Sequence, residues 1–395
     1  MCIIIKLKNW VPKFNVHDNY KIISLKDNNK IIAYRKENHT MPCQINIERT
    51  KTPKKKPDQN NLGFGKYFTD HMFVMDYSAE KGWHDPRIVP YSSVPFEPST
   101  MVFHYGQAVF EGLKAFKTKN GKVLLFRPMK NMERLNISND RLCIPLIDAN
   151  FAIEAIKTLI KIDEDWIPSC EGTSLYIRPF IIATDPYLGV RPSDTYKFFI
   201  ILSPVGAYYP EGIKPVKIYV EDYYVRSTKG GLGNVKAAGN YAASLKAQYE
   251  ASKKGYTQVL WLDGIEKKYV EEVGTMNVFF VINKEVITPS LEGTILPGVT
   301  RDSVLQLLKS FKITATERRI TIDEIFHAHE NGDLNEAFGT GTAAVISPIG
   351  GLTWKDKTMI INNEETGEIS RRLYKYLTGI QNGEIEDSFG WTMEV

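Results

Sequence analysis

Hydrophobic and polar residues follow three regimes along the 395-residue chain. Over residues 1–62 the apolar positions are broken up by Lys, Asn and Pro and keep no period. That predicts a loosely attached extension, although Ile3, Leu7, Val11 and Phe14 have a roughly helical spacing. From Phe64 the pattern tightens. Short apolar runs at 73–77 and 124–126 predict strands. Pro128 opens a helical stretch that runs to Arg141. Asp148 is a ready N-cap for a helix over 149–162, in which Ile153, Ile156, Leu159 and Ile160 share one face. Strands follow at 174–182 and 197–202. Residues 203–215 hold three Pro and two Gly and interrupt the pattern, which predicts a domain boundary. Strands and helices then alternate: a strand at 216–221, a helix at 241–254 stopped by Gly255, strands at 258–262 and 276–282, and a helix at 299–309. Thr321 caps a further helix, and 370–377 belongs to a last one. The expected class is α/β (α+β in its two-domain layout). A basic extension spans 1–56, a smaller domain 57–205, a linker 206–216 and a larger domain 217–395.

Composition changes this picture little. The chain is 43% hydrophobic and 24% charged, as for an ordinary soluble protein. No apolar run approaches the roughly 18 residues that a membrane helix needs. The net charge of +4 is uneven: residues 1–62 hold 13 Lys and Arg against five acids, a net +8, which leaves −4 for the rest. A mildly acidic body argues against nucleic-acid binding, and Lys54-Lys55-Lys56 is best read as a solvated run. Four scattered cysteines show no metal-ligand spacing and suit a reduced, intracellular protein. The cytoplasm is the expected compartment. The mitochondrion is the alternative, because the first 17 residues carry no acid.

The candidate chemistry sits in a few segments. The run GGLGNVKAAGNY (230–241) surrounds Lys236 with small residues just before a helix. A lysine desolvated in this way loses proton affinity, and the neutral amine can form a Schiff base with an aldehyde cofactor. The bland reading is an exposed lysine on a mobile loop. EEVGTMN (271–277) leads into an apolar strand. Alternation turns one of its acids inward, where it needs a positive partner, and leaves Glu271 as an exposed strand-end residue. TILPGVT (294–300) runs into a helix whose free amides suit a phosphate. The loop GTGTA (339–343) could cup oxyanions. Arg134, Tyr105, Phe110 and Glu111 are ambiguous alone. Tyr176 and Arg178 share one strand face, and an arginine there needs an acidic partner or substrate.

Taken in order, PDQNNLGFGKYFTDHM, FHYGQAVFEGLKAF, NMERL, GTSLYIRP, PYLGV, LSPVGAYYP, GNVKAAGNY, QVLWLDG, EVGTMNVF, ILPGVTR and FGTGTA resemble the branched-chain amino-acid aminotransferases. These are fold-type IV pyridoxal-phosphate enzymes, and the eukaryotic type matches best. The resemblance runs from Pro57 to near the C-terminus. It implies that the cofactor, pyridoxal 5'-phosphate, lies between a smaller N-terminal and a larger C-terminal domain. Lys236 would anchor it and shuttle the proton. Glu272 would pair with the pyridine nitrogen and Tyr241 with the phenolic oxygen. Arg134, Val299, Thr300 and Thr342 would hold the phosphate, with Leu296 against the ring. Tyr105, Thr275 and Ala343 would hold the substrate carboxylate. Phe64, Phe110, Tyr176 and Tyr208 would line an apolar pocket, and Arg178 would meet the second carboxylate of glutamate. Leu188 and Val190 match a loop that reaches a neighbouring subunit, which implies a homodimer. The implied reaction moves the amino group of L-leucine, L-isoleucine or L-valine to 2-oxoglutarate. A D-amino-acid aminotransferase or aminodeoxychorismate lyase on the same fold is the nearest rival. A silent scaffold or RNA-binding protein using the basic extension is the rival from another class.

Overall fold

A computed structural model of the chain describes residues 2–6, 20–26, 31–36, 44–206 and 213–395. Contacts divide the chain into two units, Met1–Cys43 and Gln44–Val395. In the first unit, Cys2–Lys6, Tyr20–Lys26 and Ile31–Lys36 form an antiparallel sheet with Ile31–Lys36 in the middle. At Ile3 a strand stands where a helical spacing was expected, while Leu7, Val11 and Phe14 lie outside the described residues. Three consecutive isoleucines favour a strand, where β-branched side chains lose little rotamer freedom.

The boundary expected at residue 56 lies instead at Cys43, because residues 44–56 belong to the larger unit. Asn46–Ile47 pairs in parallel with Gly82–Pro90. The Thr50 amide donates to His71 Nε2 at 2.9 Å, and the Lys54 amide donates to Asp70 Oδ1 at 2.8 Å. Lys56 pairs with Asp165. These contacts are long-range, so local periodicity could not reveal them.

The larger unit holds two nine-stranded sheets. The first runs in the order Thr392–Glu394, Val123–Phe126, Leu113–Lys117, Ser174–Ala183, Thr195–Val205, His71–Ser78, Gly82–Pro90, Asn46–Ile47, and Ala108–Phe110 also pairs with Ser174–Ala183. The chain leaves this sheet at Val205 and enters the second at Val216. In the second, Val270–Val273, Gln258–Leu262, Val216–Glu221, Val345–Trp354, Leu334–Gly341 and Met276–Ile282 are neighbours in that order. Val270–Val273 also pairs with Met276–Ile282, so these six strands close into a ring.

The unbroken apolar run of Met276–Ile282 follows from this closure. Val278 and Phe280 enter one core cluster with Leu260, Leu262 and Val273. Phe279 and Val281 enter another with Val304, Leu307 and Phe338, the first two of these from the outer helix Val299–Ser310. Alternate residues point to opposite faces, and here both faces are buried. The second cluster also takes Phe116 and Phe126 from the first sheet, together with Trp391, so the two sheets share a core at their junction. No helix among the described residues is long and apolar enough to cross a membrane.

Candidate active site

Lys236 lies at that junction. Its carbonyl accepts from the Phe110 amide at 3.1 Å, and its amide donates to Ser138 Oγ at 2.9 Å. Ser138 Oγ in turn donates to the carbonyl of Arg134 at 3.0 Å, one turn back on the helix Pro128–Arg141. One helix therefore fixes both Arg134 and the backbone of Lys236. The helix Ala238–Lys253 starts inside the glycine-rich run, three residues earlier than expected, and Asn240 Nδ2 ties its first turn to the carbonyls of Leu232 and Val235. Lys236 Nζ donates to Tyr241 OH at 2.8 Å and lies 4.9 Å from the centre of the Phe110 ring. The desolvation expected of Lys236 is only partial: the residue is half-buried and lines a cavity.

Glu272 is buried on the far wall, its Oε1 accepting from the Leu296 amide at 2.8 Å. Burial pushes its carboxyl above the usual range. Arg226, the Leu296 amide, Lys236 and Arg134 pull the other way. Glu271 was expected to be exposed, but it is only 5% exposed. Its strand is covered on both faces, and burial raises its carboxyl as well.

The end of this cavity around Arg134 is built from three segments. Arg134 is buried, with Nε and Nη2 gripping Glu111 at 2.7 and 2.9 Å, while Nη1 donates to the Pro297 carbonyl at 3.0 Å. Burial alone would raise the Glu111 carboxyl, but Arg134 beside it holds it below the usual range. The helix Val299–Ser310 starts after Gly298 with no side-chain cap, which leaves the Val299 and Thr300 amides as donors. A Cβ at Gly298 would lie 2.0 Å from Asn277 Oδ1, so only glycine lets this loop approach so closely. Arg134, Lys236, Glu272, Thr275, Leu296, Val299, Thr300 and Thr342 line one cavity. The expected loop at 339–343 is shorter than predicted, because Gly339 and Gly341 belong to the strand Leu334–Gly341. Gly339 is needed there for packing, since a Cβ would meet Val273 and Met276 at 2.9 and 3.0 Å.

An aromatic wall continues from Lys236. Phe110 stands 4.7 Å from Tyr241, the Arg178 guanidinium lies against both Phe110 and Tyr176, and Tyr176 meets Phe64 at 5.0 Å. Arg178 donates to Tyr176 OH at 2.9 Å, its Nε is buried without a hydrogen-bond partner, and it has no carboxylate partner among the described residues. Tyr105 donates to the Leu188 carbonyl instead of to the Lys236 cluster. Leu188 and Val190 are 65% and 85% exposed, and Tyr208 lies outside the described residues. The Ala343 carbonyl accepts from Lys114 Nζ at 2.9 Å. Burial pushes the Lys114 amine down to about 8.

Sequence reasoning missed Arg226, Lys114 and the pairing of Glu111 with Arg134. Each is an ordinary residue until the fold buries it. The one available signal was a charged residue inside an apolar run, as in AVFEGLKAF.

The residues fit pyridoxal phosphate. Donors and a guanidinium converge for a dianion, a buried carboxylate suits a protonated ring nitrogen, and an amine bonded to a phenol suits the aldehyde and its neighbouring oxygen.

The family described as "Amino-transferase class IV" matches residues 108–351, and the chain belongs to it. "Branched-chain-amino-acid aminotransferase 2" of Bacillus subtilis (strain 168) is 65% identical over 351 residues, covering 89% of this chain and 97% of that protein. "Branched-chain-amino-acid transaminase 1" of the same strain is 56% identical, covering 88% and 99%. Both are bacterial, whereas the motifs pointed to the eukaryotic type. A crystal structure of the branched-chain aminotransferase from Thermoproteus uzoniensis with norvaline aligns with a TM-score of 0.69 at 25% identity, covering 82% of this chain and 99% of that one.

Proposed function

We propose that this chain is a pyridoxal-phosphate-dependent branched-chain amino-acid transaminase, exchanging amino groups between L-leucine, L-isoleucine or L-valine and 2-oxoglutarate. The observation that carries the reading is the position of Lys236. Its amine is hydrogen-bonded to Tyr241 at 2.8 Å and shares one cavity with Arg134 and Glu272. The relatives at 56–65% identity favour branched-chain chemistry over the D-amino-acid and lyase rivals.

In this reading Lys236 would hold the cofactor through its aldehyde, and its Nζ would take the proton from the substrate's α-carbon. Tyr241 OH, 2.8 Å from Nζ, holds that amine in place. Glu272 meets the pyridine nitrogen, and Leu296 lies against the ring. Arg134, the Val299 and Thr300 amides and Thr342 hold the phosphate. When bound, pyridoxal phosphate supplies the electron sink that makes the α-proton labile. Tyr105, Thr275 and the Ala343 amide receive the α-carboxylate. Phe64, Phe110, Tyr176 and Tyr208 exclude water from the apolar side chain. Arg178, a cation lacking a carboxylate partner among the described residues, receives the second carboxylate of glutamate or 2-oxoglutarate. The two sheets form the smaller and larger domains. A homodimer is proposed, with exposed Leu188 and Val190 reaching the partner's site. A cytoplasmic setting is proposed from the scattered cysteines.

A coupled assay with purified protein, pyridoxal phosphate and 2-oxoglutarate tests the reading. Turnover is expected with L-leucine and not with D-alanine or aminodeoxychorismate. Turnover confined to D-alanine or aminodeoxychorismate would overturn it.

A further inference from the structure

Arg226 stands outside every role given above, yet it touches each wall of the Glu272 site. Its side chain is 8% exposed, and its Nε lies 3.3 Å from Glu272 Oε2. Its Nη2 donates to the Gly233 carbonyl at 3.1 Å and to the Thr294 carbonyl. Gly233 is three residues before Lys236. Thr294 is two residues before Leu296, whose amide grips the other oxygen of Glu272. The two loops are in contact, since a Cβ at Gly233 would lie 2.1 Å from the Thr294 carbonyl.

The electrostatics point the same way. Glu272 is buried, and burial favours its neutral form. Among the groups that oppose this, Arg226 is the strongest, ahead of the Leu296 amide, Lys236 and Arg134. A carboxylate in low dielectric keeps its charge only beside a cation or several donors. The Nε hydrogen is also unspent: Nε is buried and has no hydrogen-bond partner among the described residues. Its 3.3 Å approach to Oε2 is an ion pair and not a hydrogen bond. Arginine suits this position because one planar fork serves a carboxylate and two carbonyls at once, which a lysine point charge cannot do.

We propose that Arg226 is the positioning residue of this site, holding the Glu272 carboxylate at its second oxygen and binding the Lys236 loop to the Thr294–Leu296 segment. The proposal rests on the reading that Glu272 meets the pyridine nitrogen. Arg226 acts through Glu272 and touches neither substrate nor cofactor in that scheme. Its loss therefore acts on the proton shared between Glu272 and the ring nitrogen, and leaves the substrate pocket alone.

The test uses holoenzyme reconstituted with pyridoxal phosphate labelled with ¹⁵N at the ring. Wild type should give the resonance of a protonated nitrogen. In Arg226→Gln it should move toward the neutral position, kcat should fall about tenfold or more, and KM for L-leucine should stay within about threefold. Arg226→Lys, which keeps a charge beside Glu272, should return the resonance toward wild type. If Arg226→Gln does not fold, Arg226→Met, which keeps the apolar stem, is read in its place. A protonated-type resonance with unchanged kcat in the neutral variant overturns the proposal. Glu272→Gln separates the two failures. If it too leaves the resonance unmoved, the reading of Glu272 fails; if it alone shifts the resonance, only the role of Arg226 fails.

Discussion

Replacing Glu111 by glutamine tests the charge arrangement beneath the proposed phosphate site. Glu111 is fully buried and holds Arg134 through hydrogen bonds of 2.7 and 2.9 Å. Asn131 Nδ2 and the Gly112 amide donate to the same carboxylate at 2.9 and 3.1 Å. Removing one partner of a buried ion pair costs about 3–5 kcal/mol, because the other charge stays buried and unmatched. Glutamine keeps one acceptor, so the lower end, about 3 kcal/mol, is the better estimate. Unfolding entropy scales with chain length at about 2 cal/mol/K per residue, so a body of this size should lose about 4 °C in its melting midpoint. The loss should shrink when pyridoxal phosphate is added, since its phosphate supplies the anion that Arg134 then lacks. Thermal melts of apo and reconstituted protein, wild type and Glu111→Gln, measure both effects. An apo variant that melts with wild type would refute the claim that Glu111 balances Arg134. A gap between apo and holo no wider than in wild type would refute the claim that Arg134 faces the phosphate.

Three further outcomes are expected. Glu272→Gln should lower kcat by about 100-fold or more, while Glu271→Gln stays within a few-fold, because Glu272 shares the cavity of Lys236 and Arg134 whereas Glu271 lines a separate pocket with Asp263 and Arg319; steady-state rates with L-leucine decide it, and equal losses would mean the wrong acid was chosen. Compared with deleting residues 1–43, deleting 1–56 also strips the donors from His71 Nε2 and Asp70 Oδ1 and should cost about 1–3 kcal/mol more for each group left unpaired; paired melts of the two truncations read this directly, and equal midpoints would show that residues 44–56 contribute nothing. Lys114 has a folded pKa of about 8 against 10.5 unfolded, so charging it works against the fold below about pH 8, and that penalty fades as pH rises toward 10.5; Lys114→Met should therefore shift the midpoint more favourably at pH 7 than at pH 10, and an equal shift at both would contradict it.

The helices were largely legible in the sequence because their signals are local. Asp148 accepts from the Asn150 and Phe151 amides and starts Ala149–Ile162 where the apolar face predicted it. Thr321 accepts from Glu324 in the same way. The strand Gly82–Pro90 was missed. It contains two prolines, Asp85 takes a φ of 52°, and its register with His71–Ser78 shifts between Val74 and Asp76, so the alternation is broken. The candidate cofactor residues were legible as motifs because each lies on a short contiguous segment. Their supports were not: Glu111 meets Arg134, and Arg226 meets Glu272, only when segments 23 and 46 residues apart in the chain have folded together, and neither pairing leaves a spacing to read.

The central claim is that Lys236 anchors the cofactor. Lys114 is its sharpest competitor, being the buried lysine whose amine is pushed down to about 8. Protein incubated with pyridoxal phosphate, reduced with borohydride and digested can be read by peptide mass spectrometry. The account predicts one phosphopyridoxyl group, carried by the peptide that contains Lys236 and absent after prior incubation with L-leucine, which takes the cofactor off the lysine. A label fixed on Lys114 or Lys229, with Lys236 unmodified, would contradict it.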